Sequence, residues 1–236
     1  MTEPVAAGAP GGPTGSVAPG EQLIRAVRVM DRLRSPGGCP WDAEQTHTSL
    51  APYLLEEAYE TLEAIETADP VALREELGDL LLQVLFHARL AEEAPAGERF
   101  GIDDVAADLV AKLVRRHPHV FATAAPGLTA GDQQASWDAI KRAEKRRESA
   151  TDGVAMGQPA LALAAKLVSR AERAGLQVAL PAGDGIGERL LAVVADAVRA
   201  GIDPEHALRD SARNYREAVR AQEQVGAQEL TGPTGE

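Results

Sequence analysis

Cysteine is nearly missing from this chain: Cys39 stands alone among 236 residues. One thiol cannot build an intrachain disulfide framework or a Cys-rich zinc site, and a reducing compartment is the simplest expectation. Aromatic residues are scarce too, at 3% against 44% hydrophobic overall. Leu, Ala and Val must therefore supply the core, a composition that favours helices over a β-sandwich. Basic charge is in deficit, with 24 Lys and Arg against 36 Asp and Glu and a net charge of −12. Binding of nucleic-acid polymers rests on Lys and Arg neutralising phosphates, so no such partner is expected. A small phosphorylated ligand is still admissible, since a metal ion can neutralise it locally. Long apolar runs are lacking as well. The longest, Leu80 to Phe86, is interrupted by Gln83 and falls far short of a membrane span. Residues 1–20 are rich in Pro, Gly and Ala, without the basic and apolar regions of a secretory signal. They are read as a disordered tail. The expectation is a soluble, cytoplasmic protein with no membrane partner.

What the chain does have is helical periodicity. Residues 21–35 place apolar side chains at 23, 24, 27, 30 and 33. Two prolines and two glycines in "PGGCPWD" (36–42) then break the helix. Helices are expected over 52–66 and 74–86, joined by the short turn "TADP" and so packed as an antiparallel hairpin. Another is expected over 104–116, capped by Asp103. Residues 117–132 read as irregular and 133–149 as a charged helix. After a linker at 150–159 come helices at 160–176, closed by Gly175, and roughly at 186–200 and 204–224. No segment alternates with period two over strand length, and the fold class is all-α. The expected division is a catalytic domain at 21–149, a helical C-terminal region at 150–225 and a tail at 226–236.

Carboxylates in an apolar setting raise the functional question. At about 100° per residue, Leu55, Ala58, Tyr59 and Leu62 form one stripe of the first hairpin helix. Glu56, Glu60 and Glu63 run beside it, with Glu57 about 60° from Glu60. On the second helix, Leu and Val cover most of the circumference, and Glu76, Asp79, Gln83 and His87 share the narrow remaining strip. A helix this apolar has little face left for solvent. If the strip faces the hairpin partner, carboxylates of both helices meet, and crowded carboxylates repel or protonate unless a cation intervenes. Oxygen ligands without nearby Cys suit a hard ion, Mg²⁺ with Mn²⁺ as an alternative. The bland alternative is a solvated strip in which Arg74 or Arg89 pairs with Glu76 and Asp79.

Mg²⁺ commonly holds phosphate oxygens, and basic residues that could hold more of them follow. Lys112, Arg115, Arg116, His117 and His119 stand in "AKLVRRHPHVF", and Trp137, Lys141 and Arg142 in "SWDAIKR". Lys166, Arg170 and Arg173 come later. Arg and Lys suit phosphate, and Trp can stack on a base. Taken singly, each reads sooner as a surface charge or a capped helix end.

In this order the residues resemble the MazG family of all-α nucleoside triphosphate pyrophosphohydrolases. The signature EExxE, spacer, ExxD stands here as Glu56-Glu57-x-x-Glu60 and Glu76-x-x-Asp79, with 15 residues between. "GCPWDAEQT" upstream and "RRHPHVF" and "SWDAIK" downstream add to it. The resemblance spans residues 21–145 and thins towards 176. It implies hydrolysis of (d)NTPs to (d)NMP and pyrophosphate with Mg²⁺, a metal-bound water attacking the α-phosphorus. It makes Glu57, Glu60, Glu76 and Asp79 the metal ligands, and Glu56 a further ligand or the group orienting the water. It places Lys112, Arg115, Arg116, Trp137 and Lys141 against the nucleotide, with Lys166 and Arg170 on a later basic helix. It also implies a homodimer, the helices of two protomers bundling around each site.

The C-terminal half departs from the longer members, which carry a second acidic repeat. "GIGERLLAVVADAVRAGID" echoes "EELGDLLLQVLF…FGID", with Ile186 for Glu76 and Arg189 for Asp79. Either it is a degenerate, truncated repeat or a chance match of Leu/Ala-rich helices. One set of acidic residues per chain, in the N-terminal half, is expected. Related pyrophosphohydrolases of phosphoribosyl-ATP or dUTP, and a helical module binding metal and nucleotide without turnover, are the alternative readings.

Overall fold

A computed structural model describes residues 18–121 and 148–230, with side chains to 224. Every regular element among them is helical: α1 (Glu21–Arg34), α2 (Pro40–Glu44), α3 (His47–Glu66), α4 (Pro70–Ala91), α5 (Ile102–Arg116), α6 (Pro118–Phe121), α7 (Ala160–Arg173), α8 (Ile186–Arg199) and α9 (Pro204–Leu230). The all-α expectation holds. Boundaries move by a turn where capping decides them. The helix expected from 52 starts at His47, because Thr46 and Ser49 form a reciprocal capping box. The next starts at Pro70, with the Asp69 carboxylate accepting from the Val71 and Ala72 N–H groups. Gly101 rather than Asp103 caps α5. The break at 36–42 ends in the short α2, and a turn of helix, α6, forms within the segment expected to be irregular. The helix expected at 133–149 falls almost wholly outside the described residues.

The described residues fall into two compact units, one up to residue 121 and one from 148. In the first, α3 and α4 form the expected antiparallel hairpin, and α1 and α5 pack on α4. The core is Met30, Leu50, Leu85, Phe86 and Leu90, flanked by Ala26, Val27, Leu81 and Ile102. Trp41 of α2 closes one side, edge-on to Tyr53 and Phe86. An ion-pair network ties α1 to the end of α4. Arg34 donates to both oxygens of Glu93 at 2.9 and 3.0 Å and also to the Asp42 carbonyl. Arg89 reaches Asp31 at 2.8 Å and Glu93 at 2.9 Å.

The burial pattern of the hairpin differs from the expected one in an instructive way. On α3 the buried residues are Leu50, Thr61 and Ala64, one face on which Glu57 also falls. The stripe Leu55–Tyr59 points away from it, with Leu55 58% and Tyr59 44% exposed. On α4 the strip of Glu76, Asp79, Gln83 and His87 does turn inward, and Gln83 is only 5% exposed. Leu77, 52% exposed, and Val84 are left outside. Helix periodicity names a face but not its partner. Here the hairpin seam takes the polar strip, and part of the apolar surface is uncovered.

In the second unit α7 and α8 pack together, with Val194 and Ala195 buried. Arg199 of α8 pairs with Glu172 of α7 at 3.3 Å. Gly175, at φ 70°, closes the end of α7, and the Asp203 carboxylate caps α9 through the Glu205 and His206 N–H groups. The echo is loose at this level: Val194 is buried where Val84 is exposed, and Gly201 takes φ 71° where Gly101 is extended.

Candidate active site

The α3–α4 hairpin brings three carboxylates together. Glu57, Glu76 and Asp79 each offer an oxygen, and the three oxygens lie within 4.8 Å of one another. Glu57 comes from the seam face of α3, Glu76 and Asp79 from successive turns of α4, and all three are half-buried. The Asp69-capped turn fixes the register that sets them opposite each other.

Their electrostatics is one-sided. Partial burial raises the Glu57 carboxyl above its ordinary value, and Asp79, Glu60, Glu76 and Glu56 all push the same way. Glu76 is raised by burial and then by Glu60, Asp79 and Glu75. Among the described residues no cation offsets any of this. Arg89, one of the two candidate partners in the bland reading, is engaged by Asp31, Glu92 and Glu93 instead. Like charges without compensation favour the protonated forms, and a bound cation reverses that preference. Hard oxygen donors at this spacing fit a divalent ion of the Mg²⁺ or Mn²⁺ kind.

The remaining residues named from the sequence distribute as follows. Glu60 is exposed but close enough to be the leading charge acting on Glu76. Glu56 is exposed and adds the weakest of the charges acting on Glu57. Lys112, Arg115 and Arg116 lie towards the C-terminal end of α5, where the helix dipole favours cations. Lys166 and Arg170 belong to α7 in the second unit. Arg170 donates to the Ala150 and Asp152 carbonyls, at 3.3 and 2.8 Å, and so holds the turn before α7. Trp137 and Lys141 lie outside the described residues. One residue had gone unnoticed in the sequence: His47, whose Nδ1 stands 2.7 Å from that of His87. The pairing that sets Glu57 opposite Glu76 and Asp79 also sets these two histidines opposite each other, and that was the available signal.

Comparison with known proteins places this hairpin in context. Residues 45–121 match the family described as the MazG nucleotide pyrophosphohydrolase domain. The chain is 54% identical over 207 residues to an uncharacterized 26.1 kDa protein of Streptomyces cacaoi, covering 87% of this chain and 84% of that one. It is 47% identical over 206 residues to the nucleoside triphosphate pyrophosphohydrolase of Mycobacterium tuberculosis, covering 87% and 59%. With the nucleoside triphosphate pyrophosphohydrolase/pyrophosphatase MazG of Thermotoga maritima it shares 37% over 223 residues, 84% of each chain. The chain thus spans about three fifths of the length of the mycobacterial relative. The matched segment 45–121 contains every acidic residue of the cluster.

Proposed function

The chain belongs to the MazG family of nucleoside triphosphate pyrophosphohydrolases, and on that premise we propose that its first unit converts (d)NTPs to (d)NMP and pyrophosphate at the α3–α4 carboxylates. The observation that carries this reading is the cluster of Glu57, Glu76 and Asp79, with every charge acting on Glu57 and Glu76 among the described residues of the same sign. Glu57, Glu76 and Asp79 hold the cation, Mg²⁺ or Mn²⁺, and Glu60 completes the set. When bound, such an ion neutralises phosphate-oxygen charge and makes water a better nucleophile.

Glu56, one position from Glu57, orients the attacking water and takes its proton. Water oxygen bonds to the α-phosphorus, the bond from that phosphorus to the α,β-bridging oxygen breaks, and pyrophosphate leaves. Lys112, Arg115 and Arg116 bind the polyphosphate, Arg in its two-pronged way. Trp137 and Lys141 hold the base and a phosphate. The enzyme acts on free nucleotides in the cytoplasm, non-standard or damaged ones included, and so keeps the nucleotide pool clean. It works as a homodimer. The exposed apolar residues Leu55, Tyr59, Leu77 and Val84 of the hairpin are what a second copy would cover.

A pyrophosphate-release assay over standard and modified triphosphates, with and without Mg²⁺, tests the reading. Release that requires the ion and is lost in Asp79→Ala and Glu60→Ala, with helicity intact, supports it. No turnover on any triphosphate would leave the non-catalytic module, and turnover confined to phosphoribosyl-ATP or dUTP would point to the related enzymes.

A further inference from the structure

Two imidazoles meet at the open end of the α3–α4 hairpin, the end away from the Thr67–Asp69 turn. His47 is the first residue of α3, and His87 lies in the last two turns of α4. Their Nδ1 atoms are 2.7 Å apart. Their ring planes differ by 1° and their centroids are 5.0 Å apart. These values together fix the arrangement. The centroid separation equals the N···N distance plus the radii of both rings, so both nitrogens lie on the line joining the centroids. The rings are therefore edge to edge in a common plane, with one Nδ1 aimed at the other. A metal ion does not fit between them, since each imidazole nitrogen needs about 2.0 Å to it. The contact is a hydrogen bond with a single proton, Nδ1–H to Nδ1.

The tautomers follow from burial. The Nε2 of His87 is buried without a partner among the described residues. An orphaned buried N–H is rarer than an under-used acceptor, so His87 donates through Nδ1 and keeps a bare Nε2. His47 accepts at Nδ1, and its exposed ring presents Nε2–H to water. A further proton is badly received by His87, where it must enter at the buried Nε2. Consistently, burial and then His47 hold His87 below the ordinary imidazole value.

Among the described residues no other charge acts on this ring. Asp31 and Arg34 of α1, Arg89 of α4 and Glu92 and Glu93 after it are engaged with one another. Asp104 of α5 accepts from the Gly101 N–H, and Asp103 of α5 and Asp42 and Glu44 of α2 lie on neighbouring helices. Among all of these His47 alone is felt by His87.

We propose that His47 and His87 form an acid-labile latch: as a neutral pair they pin the start of α3 to the end of α4, and protonation of both rings releases that end of the hairpin. The experiment uses the full chain labelled with ¹⁵N-histidine, with His47→Gln and His87→Gln to assign the signals and circular dichroism to check folding. At neutral pH the latch gives a two-bond ¹⁵N–¹⁵N coupling between the two Nδ1 atoms. On acidification that coupling is lost below the titration of free histidine in the same buffer. Amide-exchange protection of residues 50–54 falls over the same pH interval, and in His47→Gln it no longer responds there. Absence of the coupling at neutral pH overturns the proposal. So does separate titration of the rings at the free-histidine value, or loss of the coupling with α3 protection unchanged. Where His47→Gln fails to fold, the coupling and protection of the unmodified chain decide alone.

Discussion

Glu57 and Glu76 carry a cost that their neighbours impose and that a cation can lift. Both have folded-state values above the ordinary glutamate value of 4.5. Below 4.5 they are protonated in both folded and unfolded chains and contribute nothing. As pH rises through their raised values the folded state must ionise them side by side, so stability of the metal-free protein falls. The expected outcome is a metal-free chain whose melting temperature declines as pH rises from about 4.5 through those raised values and recovers with Mg²⁺. Glu57→Gln should flatten that decline, raise metal-free stability at pH 7, and reduce pyrophosphate release by more than ~100-fold. That is the upper end for partners one shell further out. At the same scale, Ala68 takes φ 54° in the hairpin turn. An L-residue there is strained, and Ala68→Gly should stabilise the chain by about 0.5–1 kcal/mol, read by denaturant titration.

Elements are held in place by contacts that periodicity does not display. Arg34 shows only 7% of its side chain and Glu93 45%. Glu93 is held below the ordinary carboxylate range, first by the Arg34 hydrogen bonds, against the opposing effect of burial. Its contribution is present above pH 4.5 and is lost as pH falls through its depressed value, the reverse of Glu57. Arg34→Ala should cost about 1.5–2 kcal/mol at pH 7, less than a wholly buried pair because Glu93 is half in water. That loss should shrink in acid, as chemical denaturation across pH will report. The glycine of "GCPWD" acts in a different way. A side chain on Gly38 would run into the carbonyl oxygens of Arg32 and Leu33 at the end of α1. Gly38→Ala should therefore displace α2 and with it Trp41, which a shift in tryptophan fluorescence will detect.

For the molecule as a whole, the acidic cluster lies in one unit and the second has Ile186 and Arg189 at the echoed positions. Arg189 is exposed on α8. Arg189→Ala should keep pyrophosphate release within about two-fold of the parent chain, as surface substitutions do, while Asp79→Ala abolishes it. A second active set in the C-terminal half would show as residual turnover in Asp79→Ala. Oligomeric state belongs to this scale as well. If a second copy covers Leu55 and Leu77, Leu77→Glu should halve the mass seen by light scattering, since an unpaired carboxylate in an apolar contact is strongly disfavoured.

The sequence by itself determined the helices, the hairpin and the carboxylates. Apolar spacing, the "TADP" turn and the Glu56–Glu60 and Glu76–Asp79 spacings are local features, and local physics reads them. It could not say which face of α3 turns inward. Leu55 and Tyr59 looked like the buried stripe, yet the seam took Glu57, Thr61 and Ala64. Only the tertiary structure decided that, because two helices in a hairpin can present many pairs of faces. The choice depends on the core that α1 and α5 build around Leu85 and Phe86. The same packing separated Glu57 from its neighbours Glu56 and Glu60 as the α3 member of the cluster, and it brought His47 to His87. Spacing along a chain can put charged groups on one face of a helix, but their distance from groups on another helix is set by the packing between them.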